Sequence, residues 1–185
     1  MLGYLLATLA FVNSTVSEKN CFESADLQEV LRGKYDCSAL KKADEVFIAA
    51  ANGFPQFVVI EFSDPVWRVR AYGWKAEARS DGYIHQTRFV KGVLKTNEIE
   101  GFRADFLAGI YNSMTEQQPP NRDIICIDSI KLMVYAKSLN GKLSGSRASC
   151  LGKTKADDFA GRLRAMAILV DPEMQDYLFR IGKRP

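Results

Sequence analysis

The hydrophobic period of this chain switches from the helical repeat near 3.6 to the strand repeat of two, and then back. Gln56 to Phe62 (QFVVIEF) is apolar and rich in β-formers, and Ser63-Asp64-Pro65 marks a turn after it. Val66 to Arg79 and Tyr83 to Lys95 are long alternating runs separated by Ser80-Asp81-Gly82. Asp-Gly between two such runs is a strong hairpin signal. The spacing predicts a three-stranded antiparallel meander over residues 56–95.

Helical patterns flank the meander. Ser24 is placed to cap a helix that runs to about Arg32, with Gly33 as its stop. Ser38 is placed to cap a second helix whose stripe is Leu40, Ala43, Val46, Phe47 and Ala50, ending at Gly53. After the meander, Asn97 and Glu100 approximate a capping box for a stripe of Ile99, Phe102, Phe106, Leu107, Ile110 and Met114, closed by Pro119-Pro120. Residues 124–139 read two ways. Asp128 or Ser129 could cap a helix to Leu139, or Asn140-Gly141 could close a hairpin with Lys142–Ser149; the helix over 129–139 is favoured, which makes Gly141 to Lys155 a loop. Thr154 with Asp157 caps a helix with face Phe159, Leu163, Met166 and Val170, and Asp171-Pro172 opens another before Gly182 and a basic tail. The expected class is α+β, a meander packed on one face by N- and C-terminal helices.

Period two also assigns faces. If Asp81-Gly82 is the two-residue turn, Ser80 faces Tyr83, Ala78 faces His85, Trp74 faces Phe89, Tyr72 faces Lys91 and Arg70 faces Val93. One face then carries Arg68, Arg70, Tyr72, Trp74, His85, Phe89, Lys91 and Lys95. The other carries Val69, Ala71, Gly73, Val90, Gly92 and Leu94, which suits packing under helices. Residues 66–95 hold seven Lys/Arg against Glu77 and Asp81, a net of +5, whereas the whole chain is only +3. Cations interleaved with aromatic rings form a candidate surface for an acidic protein, an anionic glycan or single-stranded nucleic acid.

The N-terminus adds a compartment. Leu2 to Val12 (LGYLLATLAFV) is an unbroken run of apolar and small residues, followed by Asn13, Ser14, Thr15 and Ser17. A run of about 7–15 such residues before small ones reads as a secretory leader, and it falls short of the roughly 20 apolar residues that span a bilayer. Residues 1–17 are therefore expected to be removed, leaving one domain over 18–185 with no membrane span, in the periplasm or secreted. The n-region lacks Lys and Arg, a departure that a misplaced Met1 would account for. Cys21, Cys37, Cys126 and Cys150 fit an oxidising compartment: an even count suggests two disulfides, with Cys21–Cys37 and Cys126–Cys150 preferred because each pair brackets a local unit.

Length and composition change little. The chain has 185 residues, 47% hydrophobic and 25% charged, ordinary for one folded domain. Catalytic motifs are sparse. His85 is the only histidine, which rules out multi-His metal sites and leaves one imidazole base. Ser38-Ala39-Leu40-Lys41 matches S-x-x-K, but its companion motifs are missing and Ser38 suits an N-cap. Cys126 lies in the apolar run IICID, a poor setting for a thiolate. No P-loop, G-x-G-x-x-G, H-E-x-x-H or EF-hand pattern occurs, so no cofactor or metal is expected. Phe106-Leu107-Ala108-Gly109-Ile110-Tyr111, followed by Cys126, resembles part of the small helical immunity proteins of type VI secretion over less than a third of the chain. Those proteins lack a long meander, so no family is assigned. The expected function is an exported, non-enzymatic binding or inhibitor/immunity-type protein acting on an unknown protein or anionic ligand through its basic, aromatic sheet face. The alternatives are a small hydrolase using His85 and a polyanion binder, with nucleic acid disfavoured by export.

Overall fold

The computed structural model describes residues 22, 24–52, 55–105, 131–138, 141–148 and 155–178. In chain order the elements are α1 (Ala25–Leu31), α2 (Cys37–Lys42), β1 (Glu45–Ala51), β2 (Gln56–Ser63), β3 (Val66–Arg79), β4 (Gly82–Leu94), α3 (Thr96–Asp105), β5 (Lys131–Ser138), β6 (Gly141–Ala148), α4 (Lys155–Val170) and α5 (Met174–Tyr177). The strands form one antiparallel sheet in the order β4-β3-β2-β1-β5-β6. The class is α+β. The meander expected over 56–95 is β2, β3 and β4, and it is half of a larger sheet.

Two expectations are corrected. The helix read from Ser38 to Gly53 stops at Lys42, and Glu45–Ala51 is the strand β1. All seven of its residues are buried, because β2 and β5 flank it and helices lie over both of its faces. A strand covered on both sides has no polar face, so its apolar run carries no period to distinguish it from a helix. The helix favoured over 129–139 is likewise a strand, β5. The alternative hairpin is the one that forms, with Ser138 paired to Gly141. Gly141 takes φ +123°, a backbone that L side chains rarely adopt. Most of the stretch read as a loop from Gly141 is therefore the edge strand β6.

Helices cover both faces of the sheet, not one. Val46, Ile48, Ala50, Phe57, Val59 and Met133 point to the side capped by α1 and α2, where Leu27, Val30, Leu31, Tyr35 and Leu40 meet them. Phe47, Ala49, Val58, Ile60, Val69 and Ala71 point the other way, into a core with Ile99, Phe102, Phe159, Leu163, Met166 and Met174 from α3, α4 and α5. Phe47 sits at its centre, with Phe102 edge-on at 5.2 Å and Trp67 stacked at 6.2 Å between ring centroids. The face read for α4 is the buried one, although Val170 is only half-buried.

Local signals explain the helix ends. Ser24 caps α1 by accepting from the Leu27 N–H at 3.3 Å, and Gly33 after it takes φ +67°. The cap of α2 is Asp36 rather than Ser38, whose N–H and hydroxyl both donate to the Asp36 carboxylate. α3 begins two residues earlier than Asn97 suggested: Glu98 reaches back to the Lys95 N–H at 2.8 Å, closing that half of a capping box. The leader expected over residues 1–17, the side chains of all four cysteines, and the stripe from Phe106 to Met114 lie outside the described residues, as do Pro119-Pro120, Thr154 and Gly182.

Gly73 marks where the C-terminal segment seats on the sheet, since a Cβ there would collide with the Tyr177 backbone carbonyl. Gly73→Ala is expected to destabilise the protein by about 1–3 kcal/mol, as overpacking against backbone does. In α3, nothing lies within 4 Å of a Cβ at Gly101. Gly101→Ala should stabilise by about 0.5–1 kcal/mol through helix propensity. Urea midpoints measure both; a Gly73→Ala midpoint equal to the parent's contradicts the seating.

Candidate functional site: the outer face of the β3–β4 hairpin

β3 and β4 are the longest strands, with fourteen and thirteen residues. β2 pairs with β3 only from Val66 to Tyr72, so beyond Tyr72 the two strands continue as a two-stranded ribbon. The turn is Ser80-Asp81, closed by Arg79 opposite Gly82, whose φ is +135°. The expected turn, Asp81-Gly82, is therefore shifted by one residue, and every cross-strand pair by two. His85 faces Ala76 rather than Ala78, Phe89 faces Tyr72 rather than Trp74, Lys91 faces Arg70, and Val93 faces Arg68. A shift of two changes partners but not faces, because side chains alternate with period two.

The face read from the sequence therefore exists as a ladder. Its successive rungs are Arg68–Val93, Arg70–Lys91, Tyr72–Phe89, Trp74–Thr87, Ala76–His85 and Ala78–Tyr83. Rungs on one face are ~7 Å apart, so the ladder runs ~30 Å or more. Phe89 and Val93 stand 43% and 66% exposed while the residues alternating with them are half-buried or buried, and Tyr83 stands 73% exposed near the tip, where both faces of β4 are exposed. The Lys91 ammonium lies 5.3 Å from the Phe89 ring centroid, and the Trp74 and His85 rings are 5.3 Å apart.

The inner end of the ladder is where the α1–α2 cover stops. Glu61 is 2% exposed on this side of β2. It accepts a short hydrogen bond from the Tyr35 hydroxyl and a 3.0 Å bond from Arg70 Nη2. The Arg70 guanidinium stacks on the Tyr35 ring at 5.3 Å, and Lys34 lies 5.1 Å from the Tyr72 ring centroid. Burial, and then the bond to Glu61, push the Tyr35 hydroxyl well above the ordinary tyrosine range. Asp36 is held below the carboxylate range by the bonds it accepts from the Ser38 hydroxyl and N–H.

Charge divides between the two faces of the hairpin. Arg88 points to the opposite side, where it bonds Asp171 at 2.6 Å and Glu173 at 2.6 Å. Those bonds raise the Arg88 pKa, and the Arg88 hydrogen bond lowers that of Asp171. Lys75 sits over the Tyr177 ring at 4.8 Å, and Glu77 accepts from Gln86 at 2.6 Å on that same face. The +5 counted over residues 66–95 is thus split. On the α4–α5 side Arg88 is paired with two acids and Lys75 lies over a ring, while the ladder carries Arg68, Arg70 and Lys91 against the buried Glu61.

Of the eight residues expected on this surface, Arg68, Arg70, Tyr72, Trp74, His85, Phe89 and Lys91 share the ladder, with Arg70 and Tyr72 partly taken up by Glu61, Tyr35 and Lys34. Lys95 follows the end of β4 and is exposed at the start of α3. Tyr83, Thr87 and Val93 belong to the same face, and their parity already placed them there. Lys34, Tyr35 and Glu61 come from other elements and carried no local signal. Among the described residues no group of three or more His, Cys, Asp or Glu is placed to hold a metal ion. A shallow depression lined by Ser24, Leu27, Met133, Ser144 and Ser146 lies between α1 and the β5–β6 hairpin, towards the other edge of the sheet. Compared with family models, with curated proteins and with solved structures, the chain finds no match.

Tyr35 gives the boundary a pH signature. Below about pH 10 the hydroxyl is protonated in folded and unfolded chains alike, and its stabilisation is complete. Above that the unfolded chain loses the proton while the folded chain keeps it, so stability falls as pH rises. Tyr35→Phe should cost about 1–3 kcal/mol at neutral pH, because a buried carboxylate loses a donor. That gap should narrow toward about pH 11, where the parent loses its advantage. Urea denaturation at the two pH values measures this, and an equal gap at both contradicts the coupling.

Proposed function

We propose that this protein is an exported, non-enzymatic binding protein of the inhibitor or immunity type, and that the β3–β4 ladder is the surface it presents to an acidic partner protein. One observation carries the reading: the two faces of the same hairpin are treated differently. One is covered by α4 and α5 as far as Lys75 and Gln86, with Arg88 paired to Asp171 and Glu173. The other keeps Phe89 and Val93 exposed beside Lys91 and Arg68. Aromatic and arginine side chains dominate the energetics of protein interfaces, and surrounding cations select acidic partners and speed their capture.

The placement of His85 favours this over the hydrolase alternative. Its side chain is exposed on the ribbon, beside the Trp74 ring. General-base catalysis is most effective in a walled site that excludes water, and a two-stranded ribbon offers no such walls. Against a nucleic-acid binder stands the expected export, supported by the Leu2–Val12 run and the even cysteine count. Among the described residues no helix is long and apolar enough to cross a membrane.

Two measurements test the proposal. A photo-reactive phenylalanine at position 89 should cross-link a protein partner in the cell envelope or medium, and Lys91→Glu should remove the adduct. The same group at Leu169, 62% exposed on α4, should give none. Equal cross-linking from both positions, or a nucleic-acid adduct at 89, contradicts the reading. The intact mass of the native protein should begin near Glu18, with all four cysteines unreactive until reduction. A full-length product with four alkylated thiols contradicts export.

A further inference from the structure

β4 is the last strand of the sheet, and along its thirteen residues its only strand neighbour among the described residues is β3. Every second N–H and C=O of such a strand points away from its neighbour, toward the open edge. Native sheets blunt edges of this kind with prolines, bulges, short strands or inward charges. β4 contains no proline, and its register with β3 runs without a bulge from Trp67↔Leu94 to Arg79↔Gly82. Its two cations do little to guard it. Arg88 is drawn to Asp171 and Glu173 on the covered side, and Lys91 lies over its neighbour Phe89.

We infer that an extended, acidic segment of the partner protein adds to the outer edge of β4 as a seventh strand. This rests on the reading of the ladder as the partner surface, and it specifies how that surface is used. Main-chain hydrogen bonds would supply affinity, and alternate side chains would supply selection. The side chains of the added strand on the ladder side would lie next to Phe89, Lys91 and Val93. Carboxylates on that face suit Lys91, and β-branched residues on the opposite face of the added strand suit Val90. A second copy of this chain is a poorer occupant. β4 carries Arg88 and Lys91 and no acid, so a second β4 offers no complementary charge, and the other edge strand, β6, carries the exposed Lys142.

The test uses the isotopically labelled full chain and an end-capped synthetic peptide of alternating Glu and Val. Two further peptides carry N-methyl groups on either the Glu or the Val residues, which blocks one edge of the peptide strand while keeping its charge. Saturable binding should slow amide exchange at alternate β4 positions by about tenfold or more, and one N-methyl isomer should lose binding by a similar factor. Lys91→Glu should weaken the unmodified peptide. Peptide binding that moves the Phe89 and Lys91 side-chain signals, with unchanged β4 exchange and equal affinity for both isomers, overturns strand addition but leaves the ladder as the partner surface. Absence of peptide binding overturns strand addition as well, and the surface reading then falls only if the cross-link at position 89 is also missing. Binding of heparin or oligo-dT in place of the peptide, falling steeply with salt, overturns both.

Discussion

The central strand β1 has no side that faces water. Val46, Ile48 and Ala50 on one face and Phe47, Ala49 and Ala51 on the other are all at most 2% exposed. A strand of this kind is stable only when both faces of the sheet are covered. That requirement divides the helices, with α1 and α2 on one side and α3, α4 and α5 on the other. Val46, Phe47 and Ile48 each contribute about 1.5–3 kcal/mol relative to exposure. The β1–β2 pair and its two covers are therefore the part of the molecule that the remainder leans on.

Coverage ends where polar groups can be satisfied. On the α1–α2 side the limit is Glu61, which is held by Tyr35 and Arg70. On the other side a second buried carboxylate, Glu45, is gripped by Arg103, whose Nε–H is shared between both oxygens at 2.9 Å and whose Nη2 donates to Oε1. A buried carboxylate without such partners would cost several kcal/mol, so each of these pairs fixes where a cover must sit. Past Glu61 the α1–α2 layer does not follow the sheet outward. The α4–α5 layer does, reaching Gly73, Gly92 and Arg88. The unequal reach of the two covers is what leaves the ladder face of the β3–β4 hairpin open while the other is covered as far as Lys75 and Gln86.

Much of that hairpin could be read from the sequence, because a half-covered ribbon obeys period two. Both strands were legible, and so was the face shared by Arg68, Tyr72, Trp74, Phe89 and Lys91. The register was off by two because Asp-Gly in a two-residue turn is only one way to close a hairpin; here Gly82 opens the strand with a positive φ instead. Burial on both faces hid β1 and most of β5, whose residues Leu132, Met133 and Val134 are each at most 5% exposed. Nor could spacing reveal that Lys34, Tyr35 and Glu61 converge on Arg70 and Tyr72. That meeting depends on where α1 and α2 lie over the sheet, and nothing local encodes it.

The account rests on the ladder being open, aromatic and positively charged in solution. The chain has two tryptophans, Trp67 in the core at 5% exposed and Trp74 half-buried on the ladder. In a Trp67→Phe background, fluorescence quenching at matched ionic strength isolates Trp74. Relative to its quenching of free N-acetyltryptophanamide, iodide should quench Trp74 more strongly than caesium does, because the neighbouring cations concentrate anions near the ring. On that scale, quenching by caesium that equals or exceeds that by iodide, or protection of Trp74 from both, would contradict the account.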